Sequence, residues 1–193
     1  MRPRQDEVRI YEAALQLFAS YGYKKTTLED IAQELGMTGA NLYSYANNKQ
    51  TLYHNCVAYA LSKWQNYVWD SICDIQDSCE YFNALCRCSI EYLGIDDTFR
   101  RILKRDPDIF PMFPEADPYE EINSRSFMML KNALERGVDD GTFAPIDTEK
   151  TTRILFTIYK TLIIETYIRD DEDSVMEAFP EIMDVITKGL LSR

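Results

Sequence analysis

Turn-forming residues are scarce in this sequence of 193 residues, which holds only seven glycines and seven prolines. All-β folds need turns at short intervals, so this scarcity favours long helices. No run in the sequence approaches the roughly 18 uncharged apolar residues of a membrane span. No apolar stretch follows the charged N-terminus, as a secretory signal would require. We therefore expect no membrane insertion and a cytoplasmic location.

Side chains suited to catalysis or metal binding are also few. His54 is the only histidine, so neither a Ser-His-Asp group nor a histidine-based metal site is evident, and no glycine-rich phosphate loop is visible. The cysteines are Cys56, Cys73, Cys79, Cys86 and Cys88. They lack paired CxxC spacings, and we expect buried free thiols rather than a metal sensor. The sequence predicts no catalytic residue, no metal site and no cofactor, and an enzyme is the weaker hypothesis.

The net charge of −11 is unevenly distributed along the chain. Residues 1–50 hold six basic and six acidic side chains, whereas the remainder holds 15 basic and 26 acidic ones. An acidic surface repels the phosphates of nucleic acid. The distribution therefore fits an N-terminal part that approaches DNA and an acidic body that faces away from it.

Hydrophobic periodicity predicts helices along the chain. Apolar residues recur at helical spacing from Gln5 to Tyr21, and a fourth helix begins after Asn47 or Asn48. Further helices are predicted near 76–93, 96–105, 118–138, 147–170 and 173–191. We predict an all-α fold with an N-terminal three-helix domain over 1–50 and a C-terminal helical bundle over 51–193.

Two short helices joined by a glycine-containing turn lie within the N-terminal domain. Thr26 or Thr27 caps the first helix, and Asp30, three residues after Thr27, resembles part of a capping box. Gly36 ends this helix, and Thr38 caps a second helix over 39–45. This arrangement is typical of a helix-turn-helix motif, in which the second helix enters the major groove of DNA.

The predicted DNA contacts lie mainly at the start of that second helix. Asn41 carries an amide of the kind that pairs with adenine, and a lysine at a helix start, such as Lys49, suggests a phosphate partner. The full set of predicted DNA-binding residues is Thr27, Thr38, Gly39, Ala40, Asn41, Tyr43, Tyr45 and Lys49.

The N-terminal domain resembles that of the TetR family of repressors at many positions with fixed spacing. The matching residues are Ala13-Ala14, Leu17-Phe18-Ala19, Gly22-Tyr23, Thr26-Thr27-Leu28, Asp30-Ile31-Ala32, Leu35-Gly36-Met37, Leu42-Tyr43, Tyr45, Lys49 and Leu52. The resemblance implies a transcriptional regulator with a DNA-binding domain over 1–50 and a ligand-binding and dimerisation domain over 51–193. The body would bind a small molecule and dimerise through its last two long helices. Binding of this inducer would move the two heads out of register with the operator. Family members usually carry a large side chain at the position of Ala46, and we expect Tyr11 or Tyr53 to fill that space.

The body is rich in large apolar side chains, which line small-molecule sites but are also ordinary core residues. For each single residue the core interpretation therefore stays open. The predicted ligand-binding residues are Trp64, Tyr67, Tyr92, Phe99, Phe110, Phe113 and Phe127. Together they predict a small apolar or aromatic effector.

The two helices over 147–170 and 173–191 are apolar on much of their circumference, which indicates a second buried face. We interpret this face as a homodimer interface, which suits a two-fold symmetric operator of double-stranded DNA. The leading hypothesis is a repressor released by its effector. The alternative from the same residues is a helical scaffold whose head binds a protein instead of DNA.

Overall fold

A computed structural model describes residues 4–106, 109, 117–165 and 172–191, with side chains left out over 172–177. Nine helices occupy the described residues: α1 (Gln5–Tyr21), α2 (Leu28–Glu34), α3 (Gly39–Tyr43), α4 (Lys49–Ile72), α5 (Ser78–Ile95), α6 (Asp97–Arg105), α7 (Glu120–Asp139), α8 (Thr148–Ile163) and α9 (Glu172–Leu190). One isolated antiparallel bridge joins Phe143 to Leu191, and no strand occurs in these ranges. The all-α prediction is confirmed.

Most helix bounds agree with the sequence prediction, and α3 shows the clearest difference. It ends at Tyr43 rather than Tyr45, because its last turn tightens. The N–H of Ser44 donates to Asn41 O at 3.2 Å, and the N–H of Tyr45 donates to Leu42 O at 3.0 Å. Such three-residue spacing is common at helix ends. Residues 166–170 of the predicted eighth helix lie outside the described part of the chain.

The head is formed by α1, α2 and α3, and its core is continuous with that of the body. Helix α1 packs against α2, α4 and α6, burying Ile10, Ala14 and Phe18. Helix α4 has 24 residues and runs from the head into the body without interruption. No linker therefore separates the two predicted domains, and the division at residue 50 stays a prediction.

The body is an arrangement of α5 to α9 around the second half of α4. Helix α4 packs along α5, and α7 packs along α8. The turn after α7 folds back onto the end of α9, where the N–H of Ala144 donates to Leu190 O at 2.8 Å. Phe143 in this turn is fully buried and lies edge-on to Phe82, with ring centroids 5.7 Å apart.

Gly137 makes room for that phenylalanine. A Cβ at Gly137 would lie 2.1 Å from the Phe143 ring, closer than any real contact. We expect Gly137→Ala to lower the free energy of unfolding by about 1–3 kcal/mol, because the overpacked ring must move. Urea denaturation followed by circular dichroism measures this effect.

Gly189 in α9 provides the matched control, since a Cβ there meets nothing within 4 Å. Gly189→Ala should be neutral or stabilising by up to about 1 kcal/mol, because alanine favours a helix. Equal effects of the two substitutions would contradict the packing argument.

Candidate DNA interface and effector cavity

The turn between α1 and α2 is held by Gly22 and Thr26. Gly22 has a positive φ of 83°, and its N–H donates to Phe18 O at 2.8 Å, which ends α1. Thr26 is buried, and its hydroxyl donates to Gly22 O at 2.9 Å. Because a buried hydroxyl needs a partner, this bond fixes where α2 begins.

Thr27 caps α2 in the predicted capping box. Its hydroxyl oxygen accepts from the N–H of Asp30 at 3.1 Å, and the Asp30 carboxylate accepts from the N–H of Thr27 at 2.8 Å. Hydrogen bonds from the Thr27 hydroxyl and backbone lower the pKa of Asp30 below its ordinary value. The side chain of Thr27 therefore has a structural partner, and its DNA contact stays a prediction.

The turn between α2 and α3 requires Gly36, whose φ is 65°. The N–H of Met37 donates to Ala32 O at 2.9 Å, and this bond closes the turn. A side chain at Gly36 would meet no atom within 4 Å, so the backbone conformation alone is the reason for glycine. Leu42 is fully buried and anchors α3 against this turn.

Helix α3 presents small and polar side chains to solvent. Thr38 caps it, accepting from the N–H of Asn41 at 3.4 Å. Ala40, Asn41 and Tyr43 are exposed, the last at 48%, and no charged residue lies in the first or last turn of α3. Gly39 is half-buried. This surface has the composition that a recognition helix needs at base edges.

Tyr45 and Ala46 lie on the inner side of the same segment. Tyr45 is half-buried and packs against the core, and Ala46 is 4% exposed. The two residues expected to fill the space beside Ala46 have other ring partners. Tyr11 pairs with Tyr59 at 5.7 Å, and Tyr53 lies edge-on to Phe18 at 5.0 Å.

Lys49 is the most heavily engaged of the predicted DNA-binding residues. Its Nζ donates to Tyr23 O at 2.9 Å and to Thr26 O at 3.1 Å, and it lies 4.4 Å from the centroid of the Tyr23 ring. These carbonyl groups, rather than a phosphate, account here for a lysine at the start of α4. Its phosphate contact stays a prediction.

The body contains a partly open cavity of about 80 Å³ between α4, α5, α7, α8 and α9. A single water needs only ~10–15 Å³ of such space, so the cavity is larger than a packing defect. The lining is mainly apolar and includes the aromatic residues Trp64, Phe82, Phe156, Tyr159 and Phe179. Among the described lining residues, none is charged.

Of the predicted ligand-binding residues, Trp64 lines this cavity. Tyr92 stacks on Trp64 at 5.9 Å with rings 13° from parallel, and Phe99 meets Trp64 edge-on at 6.2 Å. Tyr67 lies 5.1 Å from Tyr92, and Phe127 contacts the lining residue Phe156 at 5.7 Å.

These four rings contact aromatic residues near the cavity but do not line it themselves. Phe110 and Phe113 lie outside the described residues. The ligand contacts of all seven stay predictions.

Gln65 and the polar lining residues near it are not among the residues predicted from the sequence to bind ligand. Gln65 is 6% exposed, and its Nε2 donates to Ile122 O at 2.6 Å and to Ser126 Oγ at 2.8 Å. The signal was available, because Leu61, Gln65 and Val68 share one face of α4 at helical spacing. A glutamine within an apolar stripe indicates a buried polar group.

The cysteines are all free, and their burial varies. Cys56 and Cys88 are buried, Cys79 and Cys86 are half-buried, and Cys73 is exposed, unlike the buried thiol that we expected. Burial raises the pKa of the Cys56 thiol. No cluster of three potential metal ligands occurs within the described ranges. Likewise, none of the described helices is long and apolar enough to cross a membrane.

Comparison with known proteins supports the helix-turn-helix prediction for the head and the all-α prediction for the whole chain. Residues 10–56 match the family model described as "Bacterial regulatory proteins, tetR family". The HTH-type transcriptional repressor KstR2 of Mycolicibacterium smegmatis is 27% identical over 154 residues, covering 79% of this chain and 74% of that protein.

Two solved structures with bound ligands share the fold. A transcriptional regulator of Saccharomonospora viridis in complex with choline has a TM-score of 0.80 at 19% identity, covering 98% of this chain and 99% of that one. The regulator FadR of Bacillus subtilis in complex with stearoyl-CoA has a TM-score of 0.77 at 14% identity, covering 95% and 98%.

The contacts of Lys49 generate a stability prediction. Lys49→Met should lower the free energy of unfolding by about 1–3 kcal/mol, because two carbonyl groups lose a charged donor. Lys24→Met is the control, since Lys24 is an exposed lysine in the adjoining turn. Urea denaturation should separate the two variants. Equal stabilities would mean that Lys49 has no structural role in the free protein.

Proposed function

Because the chain is a TetR-family transcriptional regulator with a DNA-binding head, we propose that it is a repressor that a small molecule releases from its operator. The observation that carries this proposal is that a helix-turn-helix head and an apolar cavity share helix α4. The head binds double-stranded DNA as one half of a homodimer. The regulator acts where chromosomal DNA lies, in the cytoplasm.

On DNA, α3 lies in the major groove with Asn41 at the base edges. Its amide suits adenine, and the small Gly39 and Ala40 allow close approach of the backbone. Tyr43 is exposed and able to reach phosphates, as is the capped start of α2 at Thr27. Three further residues both hold this surface in position and contact DNA: Thr38, Tyr45 and Lys49.

The acidic charge of the body supports this orientation. The head carries equal numbers of basic and acidic residues, whereas all of the net negative charge lies beyond residue 50. Phosphates therefore repel the body more than the head, which favours binding with α3 toward DNA.

A ligand in the cavity acts on the head through α6. Trp64 lines the cavity and meets Phe99 of α6. Helix α6 in turn is bonded to α1, since Gln16 Nε2 donates to Thr98 Oγ1 at 2.8 Å and Arg105 Nη2 donates to Ser20 O at 3.1 Å. Movement of α6 therefore changes the position of α1 and of the helices packed on it.

A second connection joins the end of α6 to the first turns of α4, where Tyr53 packs on Phe18 of the head. The Tyr53 hydroxyl donates to Asp106 Oδ2 at 2.7 Å, and burial together with this bond raises the pKa of Tyr53. The phenol remains a protonated donor at neutral pH, so the connection persists across the physiological range.

Relatives support a ligand-responsive repressor. KstR2 is described as a repressor, and the two neighbouring structures hold choline and stearoyl-CoA. These ligands differ widely in chemistry, so they support small-molecule binding without indicating which molecule this chain takes.

Homodimerisation is proposed through α8 and α9. Ile154 and Ile158 of α8 are exposed, the former at 52%, and Val185 of α9 is 72% exposed. Exposed apolar side chains on two helices that line the same cavity are typical of a surface that a partner covers. Ile158 also lines the cavity, so the proposed interface adjoins the ligand site.

DNA binding is tested by a gel-shift assay with the region upstream of the protein's own gene at moderate salt. Asn41→Ala should weaken binding to that region by about 1–3 kcal/mol and leave binding to random DNA nearly unchanged, because only the base contact is lost. Asn132→Ala, at an exposed asparagine of α7, is the control. Equal affinity of the unmodified protein for upstream and random DNA would refute a sequence-specific repressor.

Dimerisation is tested by sedimentation velocity on Ile154→Asp. The substitution should weaken the dimer by at least about 2 kcal/mol, because a carboxylate becomes buried without a partner. Met128→Asp is the control, since Met128 is similarly exposed at 46% but lies on α7. If Ile154→Asp sediments as the unmodified protein does, the interface lies elsewhere.

A further inference from the structure

Gln65 carries a buried carbonyl oxygen that has no hydrogen-bond partner. Among the described residues, its Oε1 is the one buried side-chain nitrogen or oxygen atom without a partner. Buried polar groups are nearly always paired, because leaving one unpaired costs its lost hydration. Gln65 also lines the body cavity.

The orientation of the Gln65 amide is fixed by its neighbours. Its Nε2 donates to Ile122 O at 2.6 Å, and a carbonyl oxygen can only accept. Turning the amide over would place two carbonyl oxygens against each other. Oε1 is therefore the acceptor that remains available.

Three polar side chains around the cavity donate to partners within the protein. Trp64 Nε1 donates to Ser89 O at 3.0 Å, and the Ser89 hydroxyl donates to Leu85 O at 2.7 Å. Asn123 Nδ2 donates to Asp117 Oδ2 at 2.8 Å. Gln65 Oε1 is thus the one buried side-chain acceptor of the described lining without a partner, in surroundings that are mainly apolar.

We propose that the cavity binds an uncharged, mainly apolar molecule whose single hydroxyl or N–H group donates a hydrogen bond to Gln65 Oε1. This inference rests on the proposed function and specifies the chemistry of its effector. An ionic group is disfavoured, because none of the described lining residues carries a charge that would pair with it. The bond to Oε1 selects against molecules that lack a donor.

The test compares four small probes of similar apolar size with the purified full chain. They are 1-hexanol, its isomer methyl pentyl ether, hexanoate and pentyltrimethylammonium. Binding is followed by the fluorescence of Trp64 in a Trp69→Phe background, since Trp69 is exposed and the chain has two tryptophans. We expect 1-hexanol to bind about tenfold more tightly than the ether, which has no donor, and more tightly than both ions.

The variant Gln65→Met removes the acceptor and keeps the side chain long and apolar. It should bind the alcohol and the ether equally, whereas Ser126→Ala, which leaves Oε1 in place, should keep the tenfold preference. Circular dichroism establishes that each variant is folded. If Gln65→Met fails to fold, the affinities of the four probes for the protein with Gln65 intact still test the proposal.

Three results would overturn the proposal. The first is no binding of 1-hexanol, and the second is equal affinity for 1-hexanol and the ether, as expected if a water already satisfies Oε1. The third is tightest binding of pentyltrimethylammonium, which would show that the aromatic rings select a cation.

The gel-shift assay keeps this inference separate from the proposed function. Preferential binding of 1-hexanol without release of DNA would support the cavity chemistry and contradict effector release. Release of DNA by a charged molecule, with no binding of 1-hexanol, would support effector release and contradict the cavity chemistry.

Discussion

The uninterrupted backbone of α4 connects the two working parts of this protein. Its first turns bury Leu52 and Cys56 in the core shared with α1, and its later turns bring Trp64 and Gln65 to the cavity. A helix transmits displacement along its axis, and close-packed side chains resist small adjustments. Under the proposed function, a ligand that alters the packing around the cavity acts on the head both through α4 and through the contacts of α6 with α1.

The head depends on polar bonds at its turns, whereas the body depends mainly on apolar packing. Thr27 caps the first turn of the short helix α2, and Thr26 and Lys49 donate to carbonyl groups of the turn that precedes it. Short helices gain little stability from their own hydrogen bonds, so these side chains set their position. In the body, longer helices pack around a cavity in which the buried Oε1 of Gln65 has no hydrogen-bond partner. This contrast suits a rigid reading surface joined to an adjustable cavity.

Much of the head could be predicted from sequence, because its signals are local. The capping box of Thr27, the positive φ of Gly36 and the cap at Thr38 follow from residues within four positions of each other. The role of Lys49 could not be predicted in this way. Its partners, Tyr23 and Thr26, lie more than twenty residues earlier in the chain, and only the packing of α4 against the α1–α2 turn brings them together.

The sequence by itself determined the helices, the helix-turn-helix and the separation of charge between head and body, since each depends on periodicity, local turn chemistry or composition. Only the tertiary structure decided which aromatic residues line the cavity and which do not. Trp64 and Tyr92 have the same aromatic character in the sequence, yet only Trp64 lines the space. That distinction, like the unpaired oxygen of Gln65, depends on the contacts between α4, α5, α7, α8 and α9, which no local pattern specifies.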